Sequence, residues 1–394
     1  MIARWLALVL ALLQLFPATT MCQATPRVLA TGLQSPTKII VLTDGLVVVA
    51  ESGSGKNDGR ISLLNAAGQR RTLIDGLPSG IEPVGPTGNV SGPNSMAVAG
   101  RTLYVSIGIG DSLAGRSMQP GTASEFNPFP SSPLFSSVLQ LDFQRELDFD
   151  LGPFSLNRLH HIALAGGASL TIRSDDDEQV TIRTLTNFLP DHLADPTLPG
   201  YRGPNPFDLV IDARRPTTMY VTDGGLGRIV KIDLANQTTK DFVTFAKIPR
   251  PPGTLIGPFM IDPFPTGARQ HGDHLYVALL TGFPFAQRAS QIQRINLETG
   301  ATETVLRDLT SCVDVEPLSG NRLLVLQLST NLFALPPNLP RPGRLLRFDS
   351  FASTNPAILA DGLMLPNSMA YHRPDNELFI VEIAAGRILQ LSLP

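Results

Sequence analysis

The sequence predicts an all-β fold, a six-bladed β-propeller of four-stranded antiparallel blades, and three observations carry that prediction. One five-residue strand core recurs as VVVAE from 47, LYVSI from 103, MYVTD from 219, LYVAL from 275, LLVLQ from 323 and LFIVE from 378. The apolar residues run in short segments punctuated by Gly and Pro, with no sustained helical period. The two ends of the chain read as complementary parts of one repeat. A four-stranded unit cannot bury both its faces alone, whereas a ring of such units packs each against the next.

Each recurring core is the second strand of a blade. First strands precede it at PTKIIVL (36–42), PNSMAVA (93–99), NPFDLVI (205–211), GPFMIDP (257–263) and PNSMAYH (366–372). Third strands follow at GRISLLN (59–65), GRIVKID (227–233), SQIQRIN (290–296), GRLLRFD (343–349) and GRILQLS (386–392), and RTLIDGL and PAILADGL supply fourth strands. The C-terminus stops after three strands, and RVLATGL (27–33) matches the missing fourth, so the ring is expected to close by pairing the two termini. The interval between the second and third copies, 103 to 219, is about twice the others. Insertions in blade two, near 113–135 and 143–180, account for it; the alternative is a seventh, degenerate blade near 158–190, where IALAGGASLTIRSD resembles SMAVAGRTLYVSIG.

The N-terminal MIARWLALVLALLQLFPATTMCQA has one basic residue, an apolar run and a polar end, the pattern of a signal peptide over 1–24, with 25–394 as one propeller domain. A lipoprotein anchor on Cys22 is the competing reading. Export, secreted or periplasmic, is therefore expected, with no transmembrane segment. After cleavage only Cys312 remains, in an apolar strand context that suits an inert buried thiol. A formal charge of −3 without any Lys/Arg block argues against nucleic acid as a partner, and the chain is read as a monomer.

VLATGLQSPTKIIVL, GRISLLNAAGQRRTLIDGLP and GPNSMAVAGRTLYVSIGIGD together resemble the ScyD/ScyE family of secreted propellers, within the NHL-like, TolB-like and SMP-30-like six-bladed superfamily. The resemblance covers nearly all of the mature chain but lies in blade-forming motifs. It implies export and six blades, and little about chemistry.

The start of a first strand and the end of a second lie side by side on one face of an antiparallel blade. Those positions hold Lys38, Asn94, Asn205 and Asn367 in the first set and Glu51, Asp223, Gln327 and Glu382 in the second, a candidate ligand-binding ring at the channel mouth. Oxygen donors converging on an axis suit a hard cation such as calcium, which SMP-30-like enzymes hold in such a channel; Glu51, Asn94, Asn205, Asp223 and Glu382 are the candidate metal ligands. The other reading is structural, with Arg60, Arg228 and Arg387 pairing with Glu51, Asp223 and Glu382 in their own blades. His160 and His161 are expected on a strand and His271 and His274 in a turn, without a third ligand at a recognisable spacing. SGSGKN (52–57) lacks the Ser/Thr of a phosphate-binding loop, and no GxSxG, HExxH or dinucleotide fingerprint occurs.

Two functions follow. One is a non-enzymatic binding or scaffold propeller that presents its channel face to a small molecule, glycan or protein; Phe126, Phe129 and Phe135 in the insertion, with Phe283 and Phe285 in TGFPFAQRAS, would supply apolar contact on that face. The other is a metal-dependent lactonase or esterase-like hydrolase of the SMP-30 and strictosidine-synthase-like class, its cation activating water.

Overall fold

The structure is a computed structural model that describes residues 26–82, 88–114, 125–194, 203–332 and 340–393. The leader and Cys22 lie outside the described residues. Six antiparallel sheets stand in a ring, and every recurring core is the second strand of its blade. Blade one is Pro36–Val41, Val47–Glu51, Gly59–Leu64 and Arg70–Leu77; blade two is Pro93–Ala99, Thr102–Ile107, Ser137–Phe143 and Gln179–Asn187. Blade three is Pro206–Ile211, Thr218–Asp223, Arg228–Asp233 and Thr238–Thr244, and blade four is Pro265–His271, His274–Leu279, Ser290–Asn296 and Thr302–Leu309. Blade five is Cys312–Pro317, Leu323–Gln327, Gly343–Phe348 and Ala357–Leu363. Blade six is Pro366–His372, Glu377–Glu382 and Arg387–Ser392, completed by Arg27–Thr31 from the other end of the chain. That strand runs antiparallel to Arg387–Ser392, with Arg27 opposite Gln390 and Thr31 opposite Arg387.

The second strands are apolar on both faces because each lies between two neighbouring blades. Val48 and Ala50 pack toward blade two, whereas Val47 and Val49 pack toward blade six with Phe379, Val381 and Ile388. Leu324 and Leu326 likewise meet Met369 and Ile380 of blade six, while Val325 meets Tyr276 of blade four. Period-two alternation thus feeds two cores from one strand, and burial of these side chains is the main force holding the ring.

The first strand of blade four differs from expectation. It is Pro265–His271, not 257–263; Met260–Ile261 instead pairs with Ile248–Pro249 in a hairpin. PTGARQH reads poorly as a strand because it lines a polar axis, and a more apolar neighbour outcompetes it by pattern alone.

The seventh blade is not formed. His160 and His161 lie on the α-helix α1 (Arg158–Ala165), not on a strand, and Leu170–Arg173 is an added edge strand of blade two. Asn157 caps α1 by accepting from the amides of Leu159 and His160. Phe154–Ser155 adds a short parallel strand beside Ile74 and Asp75, so this insertion leaves blade two and covers the outer edge of blade one. Gly76 is needed there: its φ is +68°, and a Cβ would stand 2.1 Å from the Leu156 carbonyl.

His161 fastens the two insertions together. Its Nε2 lies 2.8 Å from the Gly76 carbonyl, an acceptor, so Nδ1 accepts from the Ser132 hydroxyl at 3.1 Å. The side chain is fully buried, and burial holds the imidazole below its ordinary 6.5 against the opposing Gly76 bond. An unfolded His takes up its proton near 6.5, so the stability that the neutral form contributes is complete above that pH and is lost as pH falls through the lower folded value. The melting temperature is expected to fall below pH 6.5, and His161→Gln should flatten that part of the profile. Identical profiles for the two proteins refute the assignment.

Candidate functional site

In each blade the loop after the second strand and the loop leading into the first emerge on one face, so the channel face carries, among the described residues, 78–82, 88–92, 108–114, 125–136, 245–264 and 280–289. The residues expected around the channel mouth do not form one cluster there. The three carboxylates are turned into their own blades. Asp223 accepts Arg228 Nε at 3.0 Å and the Asn205 amide at 2.8 Å, and burial raises its carboxyl despite Arg228. Glu382 accepts Arg387 Nε and the Met364 amide, the latter at 2.5 Å.

Glu51 departs from the expected pairing. It accepts from Ser62 Oγ at 2.5 Å and from the Gln34 amide at 2.7 Å, and its nearest cation is Arg70 at 3.7 Å. Arg60 stands opposite it in register but does not pair with it, because the carboxylate is already filled, and Arg60 Nε is buried without a hydrogen-bond partner. In all three blades the acid at the end of the second strand ties down the backbone that leads into the first. Its role is that of a staple.

Of the amides, Asn94 and Asn205 meet across blades two and three, Asn94 Nδ2 lying 2.9 Å from Asn205 Oδ1. Asn367 Nδ2 donates to the Thr37 carbonyl of blade one at 2.7 Å. Gln327, the counterpart in blade five, stands opposite Cys312, whose thiol is buried and shifted upward by that burial. The carboxylate oxygens of Glu51, Asp223 and Glu382 therefore face guanidinium, amide N–H and hydroxyl donors in their own blades rather than one another. No group of three or more metal-ligating side chains converges among the described residues.

What fills the axis is a buried charge lattice that the sequence pattern signals only through lone charges in the first strands. Each first strand carries a register shift just ahead of an inward residue, at Lys38, Ser95, Asp208, Ala268, Asp314 and Ser368. Lys38 Nζ reaches past blade two to Asp208 of blade three at 2.6 Å, which places both groups at the centre of the ring. Asp208 also accepts Ser95 Oγ at 2.6 Å, the Ala268 amide at 2.9 Å and Arg269 at 3.1 Å. Arg269 continues to Asp314 at 3.0 Å and to the Met369 carbonyl at 2.6 Å, and Ser368 Oγ donates to Asp314 at 3.2 Å. All six blades thus meet through side chains or backbone of their first strands.

Burial works to raise the Asp208 carboxyl, but Lys38 and Arg269 outweigh it and hold it below the usual range. Lys38 is lowered, first by burial and then by Arg269. Beyond this neutral core of two cations and two anions lies Glu316, 3.5 Å from Arg269 and 2.9 Å from Arg373, which burial pushes up to about 7. Gly267 makes the close approach possible, since a Cβ there would stand 2.2 Å from Asp314 Oδ1. The sequence signal is a lone charged residue in an otherwise apolar first strand, as Lys38 in PTKIIVL and Asp208 in NPFDLVI.

Around this sealed axis the loops of the channel face carry exposed apolar groups. Phe129 is 87% exposed, Leu255 92% and Phe259 82%. Phe135, expected beside them, is instead fully buried against Gly80 and Gly110. Phe283 and Phe285 are half-buried, in a loop where Thr281 holds φ at 80° with its hydroxyl buried and unbonded. A β-branched residue in that region carries strain on the order of 1–3 kcal/mol.

These features define a six-bladed β-propeller with a closed axis and an apolar loop face. No family model and no curated protein matches the chain. Among solved structures, an oxidoreductase described as a glucose dehydrogenase from Thermus thermophilus aligns with 93% of this chain and 99% of its own, at 13% identity and a TM-score of 0.52. A PQQ-bound aldose sugar dehydrogenase from Streptomyces coelicolor aligns with 93% of this chain and 96% of its own, at 13% identity and a TM-score of 0.49. At such identity the likeness to the first concerns the fold alone.

Proposed function

We propose that the protein is an exported, non-catalytic binding propeller of the ScyD/ScyE type that engages its partner through the channel-face loops. The observation that carries this reading is the distribution of exposed large apolar side chains. Among the described residues, all but Val28, Leu159 and Ile162 lie on the loops of that face, including Phe129, Leu255, Ile256, Phe259 and Met260. Concentrated exposed apolar surface marks interaction sites, and the closed axis leaves the loops as the deformable part of a rigid ring. The signal-like leader and the blade strings quoted above support export and the family likeness.

The test begins with screening glycans and the host's exported proteins, then footprints each binder by hydrogen exchange. Protection is expected at 125–136 and 245–264, and the double substitution Phe129→Ser, Phe259→Ser should weaken binding at least tenfold without changing the melting temperature. Protection confined to the opposite face, or an unaltered affinity, overturns the proposal.

A further inference from the structure

The face opposite the channel mouth, where the short turns lie, holds a cleft between blades five and six that the reading above does not use. It has a volume of 120 Å³, several times what one water needs. Three arginines line it: Arg322 from the turn between the first two strands of blade five, Arg347 from that blade's third strand, and Arg373 from the corresponding turn of blade six. Leu318, Leu324 and Leu359 supply its apolar surface, and no acid lines it among the described residues.

The arginines are only partly engaged. Arg322 donates to the carbonyl and hydroxyl of Ser319 and pairs with no acid among the described residues. Arg347 offers Nε to Asp349, which is 63% exposed, so that pair is worth little in water. Arg373 gives one nitrogen to Glu316 and the Pro317 carbonyl. Since a guanidinium has five N–H donors, each keeps donors free. The wall is set in advance: Tyr371 Oη donates to Asn376 at 2.7 Å, Asn376 donates to the Leu393 carbonyl at 2.7 Å, and Arg373 lies over the Tyr371 ring. Three guanidiniums gathered on a chain of net charge −3 run against its overall balance, and their forked donors suit tetrahedral oxyanions.

We propose that this cleft binds a phosphate or sulfate group, free or carried as an ester on a small molecule. The probes are inorganic phosphate and phenyl phosphate, titrated calorimetrically at constant ionic strength against chloride. Saturable binding of phosphate is expected, with Arg322→Gln and Arg373→Gln each weakening it at least tenfold. Arg322→Gln is the cleaner variant, because among the described residues the Arg322 side chain bonds only Ser319; an unchanged melting temperature without ligand shows that the fold is intact. Tighter binding of the ester assigns the group to a small molecule, and equal binding to the free anion; both support the site. Absence of saturable binding, or equal affinity in Arg322→Gln, overturns it. The outcome is independent of the channel face, whose loops lie at the other end of the blades.

Discussion

Asp208→Ala is expected to destabilise the protein by about 3–5 kcal/mol, because it leaves Lys38 and Arg269 as buried cations without their shared partner. Lys38 and Asp208 side chains are 6% and 1% exposed, so water cannot take the place of the lost carboxylate. The substitution also removes the acceptor for Ser95 Oγ and for the Ala268 amide, which ties blades two and four to blade three. Denaturant unfolding measures the loss. Lys38→Met combined with Asp208→Asn should recover part of it, since the amide keeps an acceptor for Ser95, the Lys38 cation is gone and Arg269 keeps Asp314. A loss for Asp208→Ala below about 1 kcal/mol, the range of an exposed ion pair, would mean that the lattice is hydrated and carries little of the ring.

The second large effect is expected from deleting residues 26–31. This removes the outer strand of blade six and exposes the edge of Arg387–Ser392, which pairs with it from Arg387 to Gln390. The ladder bonds lost, at about 1 kcal/mol each, together with the packing of Leu29 and Ala30 at the seam, predict a loss of several kcal/mol. The whole ring should feel it, because blades one and six share that seam. Thermal melting compares the two forms, and hydrogen exchange of residues 387–392 reports whether the edge has opened. A truncated protein that melts with the intact one would show that the seam holds through blade-to-blade packing alone.

How far each part is readable follows from what its residues face. Second strands lie between two blades and are apolar throughout, so VVVAE or LLVLQ announces itself. First strands face the axis, where Lys38, Asp208, Gly267 and Arg269 break the apolar pattern, and GPFMIDP reads as a better strand than PTGARQH. The staple acids are legible as positions but not as a role, because a sequence shows which face a residue shares and not which donors fill its oxygens. Glu51 illustrates the point: its register partner is Arg60, yet Ser62, Gln34 and Arg70 occupy it. The Lys38–Asp208 contact spans 170 residues, so each first strand shows its lone charge but not the partner. Helix α1 escapes a pattern search because its eight residues RLHHIALA are too few to show a period, and the cap at Asn157 is the available cue.

The shared blade also sets an order of events during synthesis. Residues 27–31 leave the ribosome among the first of the propeller, and their partner strand, 387–392, among the last. Blades one to five can each complete four strands as they emerge, but blade six has nothing to finish with until the beginning of the chain returns to it. An unfinished polypeptide is thus a curved stack with two raw ends, and the first strand made stays unmatched for nearly the whole elongation time. Circularity in this molecule is a property of the finished chain alone.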